Sequence, residues 1–344
     1  MPEKNRHSQN RRIVAITMGD PGGIGPEVTL KALASREVQK RARQKGRHVF
    51  FVLLGNVSVF EHNKRLIRSR LSFNIIPSLN PSILSSQKIN ILDLGDDAGE
   101  IEIGKVSFPN AVLAFHALEV GAYLATHRVV HALVTAPINK EAIRLLSPSF
   151  TGHTEYLARI AKVKQFAMLL QGGPLRVVLV TTHLPLHKVS TAITINEIVI
   201  KIKLTHSFLK EKVKIRNPVI GVAAFNPHAG EGGNIGREEI ATIIPAIQRA
   251  RQKGIKVVGP LPADIIFYYA LRREFDAVIA MYHDQGLGPL KMIAFESGVN
   301  ITLNLPFIRT SPDHGTAFDI AYKNKANPQS MIEAIKTALD LVSP

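Results

Sequence analysis

The sequence predicts an α/β protein, because short apolar runs alternate with longer segments of helical period over a length that suits two modest domains. Ile13 to Met18, His48 to Leu54, Lys88 to Leu94, Val130 to Thr135, Val177 to Thr182, Val219 to Phe225, Asp276 to Met281 and Val299 to Leu305 read as strands. Between them, Pro26 to Lys45, Asn110 to Arg128, Ile195 to Leu209, Arg237 to Lys253 and Gln329 to Leu341 read as helices, the first opened by Pro26 in its first turn. Strands separated by helices imply parallel sheets covered on both faces. Ser69 to Gln87, rich in Ser, Asn and Pro, reads as a surface excursion. No internal repeat and no obvious linker interrupts the pattern.

With 45% apolar residues, the 344-residue chain can bury a substantial core. No apolar run reaches the roughly 18–20 residues a bilayer demands, and Ile13 to Met18 is too short for a secretory signal, so a cytoplasmic protein without membrane contact is expected. The absence of cysteine excludes thiolate nucleophiles, disulfides and cysteine-rich zinc sites, leaving imidazole and carboxylate as metal ligands, and there are 13 histidines. The net charge of +16 lies largely in Lys4 to Arg12, Arg36 to Arg47, Lys64 to Arg70 and Lys201 to Arg216, which read as solvated helix faces. With no Trp, 6% aromatics and no aromatic interleaving, nucleic acid is not the expected partner; a small anionic substrate makes better use of the field.

Three apolar strands run into a histidine, at His183, His228 and His283. In an open parallel sheet ligands bind beyond the carboxyl ends of the strands, so residues distant in sequence can meet there. Two readings are open: a shared divalent cation with a free position for substrate, or three unrelated loop histidines. Asp284 beside His283 adds a carboxylate to the first reading. In Thr151-Gly-His-Thr-Glu155, Gly152 and Glu155 have the spacing of a helix cap and its reciprocal partner, so His153 and Thr154 would face an anion at a helix start; an ordinary cap explains the segment equally well. Gly19-Asp-Pro-Gly-Gly-Ile-Gly25 follows a strand and opens a helix, yet its glycines are spaced G-x-x-G-x-x-G, and the next strand ends in Gly55-Asn56 without an acidic residue for a ribose. A tight structural turn is the better reading.

The strings MGDPGGIGPE, TAPINKEAI, FTGHTEYLA, TTHLPL, AAFNPHAGEGG, GPLPAD, YHDQGLGPLK and LPFIRTSPDHGTA, in this order over roughly residues 13 to 340, resemble the signatures of the 4-hydroxythreonine-4-phosphate dehydrogenase family of vitamin B6 (pyridoxal phosphate) biosynthesis. The resemblance implies two α/β/α domains flanking a cleft, similar to isocitrate and isopropylmalate dehydrogenases and not to Rossmann enzymes. The expected division is 1–140 plus 306–344 on the cofactor side and 141–305 on the metal and dimer side. It implies metal ligands at His183, His228 and His283 for Zn²⁺, Mg²⁺ or Co²⁺, and substrate contacts at His153, Thr154, Lys291, Asn300 and Arg309. It also implies a homodimer with interfacial sites, one subunit supplying His183 and His228 and the other His283. Asp284 and Lys291 are the acid/base candidates. The sequence departs from the family pattern at Ile265 and Pro312. The stretch from His314 to Pro328 is similar to the adenosine loop of isopropylmalate dehydrogenases, which implies NAD contacts at His314, Gly315 and Asp319; a polar helix start is the plainer alternative. The implied reaction is NAD-dependent oxidation and decarboxylation of 4-phosphooxy-L-threonine to 3-amino-2-oxopropyl phosphate and CO₂. The alternatives are a 4-phospho-D-threonate or 4-phospho-D-erythronate dehydrogenase, a metal-dependent phosphate-ester hydrolase, and a basic nucleic-acid-binding protein.

Overall fold

The computed structural model describes residues 11–44, 48–95 and 99–342. The amino-terminal part of the basic stretch Lys4 to Arg12 and the residues 45–47 that close two of the expected segments lie outside these. The chain forms two compact units, 1–162 with 305–344, and 163–304.

In the first unit the chain runs β1 (Arg11–Thr17), α1 (Gly25–Ala34), α2 (Arg36–Arg43), β2 (His48–Gly55), α3 (Val57–Leu66), β3 (Phe73–Ile76), β4 (Ile89–Asp93), α4 (Phe108–Thr126), β5 (Ala132–Thr135), α5 (Lys140–Leu146) and α6 (His153–Ile160). The second unit contains β6 (Ala167–Gly172), β7 (Leu175–Leu179), α7 (Val189–Ala192), α8 (Ile195–Glu211), β8 (Val219–Ala223), α9 (Ile244–Arg251), β9 (Lys256–Leu261), α10 (Ala263–Leu271), β10 (Ala277–Ala280), α11 (His283–Ala294) and β11 (Val299–Leu303). The chain then returns to the first unit with β12 (Ile308–Pro312) and α12 (Gln329–Leu341).

The first unit's strands stand in the order β3-β4-β2-β1-β5-β12 and all pair in parallel, as alternation with helices predicts. Its core joins Leu118 and Ala122 of α4 to Val52 and Leu133 of the sheet, and it includes Ala142, Ile143, Tyr156 and Leu157. Because α5 and α6 bury their apolar faces in this core, the first crossing between units falls after Lys162, later than the expected 140. The second unit's order is β11-β6-β7-β10-β8-β9. Here the all-parallel expectation is corrected: β6 is antiparallel to both β7 and β11. A two-residue connection between β6 and β7 permits only a hairpin, whereas parallel neighbours need a long crossover.

The expected helix over Pro26 to Lys45 is two helices. Ser35 is extended (ψ 143°), and its hydroxyl accepts the Val38 N–H as the cap of α2. The segment expected as a helix from Arg237 contains a π-helical turn over Glu239–Ile243 before α9. Strand β3 lies inside the expected surface excursion, and β6, β9 and β12 are additions to the predicted set. Among the described residues no helix is long and apolar enough to cross a membrane.

Candidate functional site

The first unit gathers a buried cation, a neutral imidazole and hydroxyls at the carboxyl ends of β5 and β12. Arg309 pairs with Leu133 across β12 and β5, and its side chain lies in the interior, with 2% of the residue exposed. Its Nη2 donates to Thr135 Oγ1 at 2.7 Å, and its Nη1 reaches Thr154 Oγ1 at 3.5 Å. Burial draws the guanidinium down to about 10, opposed by the Glu155 carboxylate, so it stays cationic at neutral pH. Helix α6 begins at His153 behind Gly152, so backbone N–H groups of its first turn lack intrahelical acceptors. Although His153 is half-buried as a residue, its Nε2 is shut off from solvent and has no hydrogen-bond partner. Burial, with Arg309 and Lys140 adding to it, holds the ring well below its usual range and therefore neutral. A phosphate or carboxylate placed here would meet a fork-shaped cation, a hydroxyl, an imidazole N–H and a helix start. His153, Thr154 and Arg309, singled out from the sequence, are thus brought together. Thr135 and Lys140 were not singled out, although both lie in the string TAPINKEAI, and Glu155 was read only as a helix-cap partner.

In the second unit, His183 and His283 stand side by side, with ring centroids 5.7 Å apart. The sheet explains why. Val177 to Leu179 pairs with Val278 to Ala280, and the pairing continues past the strands through Val180 N–H to Ala280 O, Thr181 N–H to Met281 O and Thr181 Oγ1 to Met281 O. Gln285, 7% exposed, ties the neighbouring strand ends together: its Oε1 accepts Met281 N–H and its Nε2 donates to Ala224 O, both at 2.7 Å. His283 Nδ1 lies 2.7 Å from Asp284 Oδ1, which leaves Nε2 as the outward nitrogen.

His228 is held differently. It begins a left-handed turn of His228, Ala229, Gly230, Glu231 and Gly232, with φ of 50°, 56°, 78°, 43° and 67°. At roughly 1–2 kcal/mol for each L-residue, the three non-glycine positions cost about 3–6 kcal/mol, so strong contacts must fix this turn. Glu239, 2% exposed on the π-helical turn, supplies them: Oε1 accepts the N–H groups of Phe225 (2.8 Å) and Asn226 (2.7 Å), and Oε2 accepts Asn226 Nδ2 (2.9 Å). Bonds to a carboxylate are worth about 1.5–3 kcal/mol each, enough to offset the strain. A Cβ on Gly230 would lie 2.7 Å from Glu239 Oε2, so that position needs glycine for space as well as for φ. His228 Nδ1 bonds Glu231 Oε1 at 2.7 Å; that hydrogen bond and charge raise the ring above its ordinary value.

Among the described residues of one chain, no three His, Asp or Glu side chains stand close enough to hold a metal. Of the three expected histidines, His183 and His283 therefore stand together within one chain, although the resemblance assigns these two to different subunits. The donor chemistry still fits a divalent ion: His228 and His283 each offer Nε2 while a carboxylate fixes Nδ1, the arrangement that orients metal-bound imidazoles. Lys291 lies two helical turns beyond Asp284 on α11, with its ammonium 5.4 Å from the Phe295 ring centre. Asn300 sits in β11 opposite Leu170, and its Oδ1 is buried without a partner.

The glycine-rich segment is a structural turn. Its amides are occupied by the protein: Asp20 N–H bonds Pro137 O, Gly22 N–H bonds Asp20 Oδ1, Gly23 N–H bonds Asp20 O and Ile24 N–H bonds Thr316 O. No row of amides is left to cradle a pyrophosphate, consistent with the spacing argument. The turn instead supports the loop from His314, since the Tyr322 hydroxyl also donates to Pro21 O. Asp319 lies exposed in a 3₁₀ turn, and Lys323 Nζ donates to its backbone carbonyl at 2.7 Å; His314 Nδ1 lies 3.0 Å from Gly315 O. Of the two departures, Pro312 ends β12 in a buried position, and Ile265 is exposed on α10.

Burial lifts the Asp20 carboxyl from 3.8 to about 6, opposed by the Gly22 N–H. Between these values the folded chain keeps a proton that the unfolded chain releases, so stability falls as pH rises from about 4 to about 6, by roughly 3 kcal/mol for this group. Asp20→Asn keeps an acceptor for Gly22 and removes the dependence. Relative to the unmodified protein, its unfolding free energy should therefore gain about that amount between pH 4 and 7, as measured by urea unfolding at successive pH values. A pH-independent difference would contradict the buried proton.

Residues 47–338 match the family described as Pyridoxal phosphate biosynthetic protein PdxA. The chain is 42% identical over 332 residues to the 4-hydroxythreonine-4-phosphate dehydrogenase of Desulforapulum autotrophicum, covering 96% of each. It is 41% identical over 332 residues to the D-threonate 4-phosphate dehydrogenase of Cupriavidus necator, covering 96% of this chain and 97% of that one. The crystal structure of the 4-hydroxythreonine-4-phosphate dehydrogenase from Klebsiella pneumoniae superposes with a TM-score of 0.84 at 40% identity, over 96% of this chain and 98% of the other. The chain belongs to the PdxA family.

Proposed function

We propose that this protein is a dehydrogenase that oxidises and decarboxylates 4-phosphooxy-L-threonine in pyridoxal phosphate biosynthesis, acting as a cytoplasmic homodimer with NAD and a divalent metal ion. The observation that carries the reading is the buried anion site of Arg309, Thr154 and His153, which suits a phosphorylated acid. A neutral imidazole and a guanidinium held by hydroxyls bind and orient the phosphate without having to give up a proton. When bound, the metal ion would supply Lewis acidity at the C3 oxygen and nicotinamide would accept the hydride. His183, His228 and His283 would hold the ion, with His283 supplied by the second subunit. With C3 oxidised, the carboxylate is β to a ketone and leaves as CO₂, yielding 3-amino-2-oxopropyl phosphate. Asp284 and Lys291 share a face of α11 and are the groups to move protons at C2 and the C3 oxygen; Asn300 offers an unpartnered amide oxygen to substrate.

A second reading has specific support, because relatives named D-threonate 4-phosphate dehydrogenase are as similar as those named 4-hydroxythreonine-4-phosphate dehydrogenase. The two substrate classes differ at C2, amine against hydroxyl. A panel of 4-phosphooxy-L-threonine, 4-phospho-D-threonate and 4-phospho-D-erythronate, assayed for NADH and CO₂ together, separates them. NAD should exceed NADP by ten-fold or more in kcat/KM, since the Asp319 carboxylate would face a 2′-phosphate as a like charge, and Asp319→Asn should narrow the gap. Equal use of both cofactors would remove Asp319 from the ribose, and phosphate release without NADH would favour a hydrolase.

A further inference from the structure

We propose that Glu239 is the positioning residue that presents His228, by clamping the backbone on which the left-handed turn is built. It rests on the metal reading above, and it concerns a residue outside the expected ligand set. The imidazole of His228 is 69% exposed and, among the described residues, is hydrogen-bonded to Glu231, its near neighbour in the same turn, so its direction is set by the backbone beneath it. That backbone enters the turn at Phe225 and Asn226, and Glu239 receives both of their N–H groups on one oxygen. Its other oxygen takes the Asn226 amide, which Glu238 Oε2 also accepts at 2.7 Å. Gly230 closes on the same carboxylate, and a Cβ at Gly236 would lie 2.4 Å from Asn226 Nδ2, so the middle of the turn and the segment after it are both packed against this one cluster. The π-helical turn widens the helix at Glu239 itself, and such single turns recur at functional sites because they redirect one side chain. The Phe225 ring also meets Tyr282, the residue before His283, edge to face at 6.2 Å, so the clamped strand end is tied to the neighbouring histidine's strand end. Glu239 touches neither substrate nor metal; it acts through the loop.

The test uses the full-length protein stripped of metal. Glu239→Gln keeps the shape but loses the charge and one acceptor. Amide hydrogen exchange over 225–236 should accelerate by ten-fold or more while the amides of β8 and α9 are unchanged, and Co²⁺ affinity, followed by its visible absorption, should weaken 10- to 100-fold, as losses behind a ligand commonly do. Should Glu239→Gln not fold by circular dichroism, Asn226→Ala removes the side-chain bonds to Glu239 Oε2 and Glu238 Oε2 while leaving both Oε1 bonds, and must show the same two changes in smaller measure. Unchanged exchange over 225–236, or faster exchange with Co²⁺ affinity unaltered, overturns the assignment. If Co²⁺ uptake by the unmodified protein is absent or survives His228→Ala, the metal reading fails and this inference falls with it. Uptake lost in His228→Ala yet intact in Glu239→Gln sinks the role of Glu239 alone.

Discussion

Arg309→Met is expected to lower kcat/KM on the phosphorylated substrate by roughly 30- to 4,000-fold, corresponding to about 2–5 kcal/mol for removing one partner of a buried, hydrogen-bonded charge pair. Most of the loss should appear in KM, because the phosphate is remote from the bonds that change and is held alike in ground and transition states. Arg309→Lys should recover only part of it: the charge remains, but a single ammonium cannot bond Thr135 and Thr154 while gripping two anion oxygens. Stability should move the other way or stay level, since methionine fills the volume and removes the cost of burying a charge. Wild-type kcat/KM in Arg309→Met would refute the anion site outright, and a collapse of Tm in parallel with activity would recast the residue as structural.

His183→Ala and His283→Ala, each alone, should lose at least 1,000-fold in kcat, as expected when a ligand of an ion that stabilises developing negative charge is removed. Mixing the two inactive proteins after demonstrated subunit exchange should restore partial activity, since one hybrid site then has every histidine. The side-by-side placement of His183 and His283 in one chain sharpens the experiment. If both served the same site of the same chain, no mixture would recover activity, and the homodimer with shared ligands would be wrong. Full turnover after exhaustive chelation would dispose of the metal itself.

His183 and His283 were legible because the apolar runs Val177 to Leu179 of β7 and Ala277 to Ala280 of β10 lead toward them, so the end of the strand lies close to the start of chemistry in the sequence. Arg309 was legible only through its resemblance to a known signature, for its own strand reads Ile-Arg-Thr-Ser-Pro, with neither alternation nor an apolar run. The break between α1 and α2 was signalled by Ser35, a residue as good at capping as it is poor in a helix interior, but helical spacing continued through it and masked the stop. Glu239 left no trace at all. Two of its partners are main-chain amides 13 and 14 residues earlier, which carry no side-chain signature, and a π-turn is invisible to a search at 3.6 residues per turn. Polar groups recruited by backbone are what single-sequence reading loses, here as at Gln285.

The return of the chain to the first unit only at Leu305 has a consequence for biosynthesis. As the polypeptide emerges, β1 to β5 can assemble, but β5 must wait for β12 with its lateral amides and carbonyls unpaired until the whole of 163–304 has been made. A waiting apolar edge is the stage at which a nascent chain is most prone to stick to another copy or to need a chaperone. The residue that ends the wait is within one place of Arg309, so the last strand to join also completes the anion pocket. Phosphate-bearing ligand therefore has nothing to hold until assembly is finished, and it then pulls the equilibrium toward the completed chain by mass action.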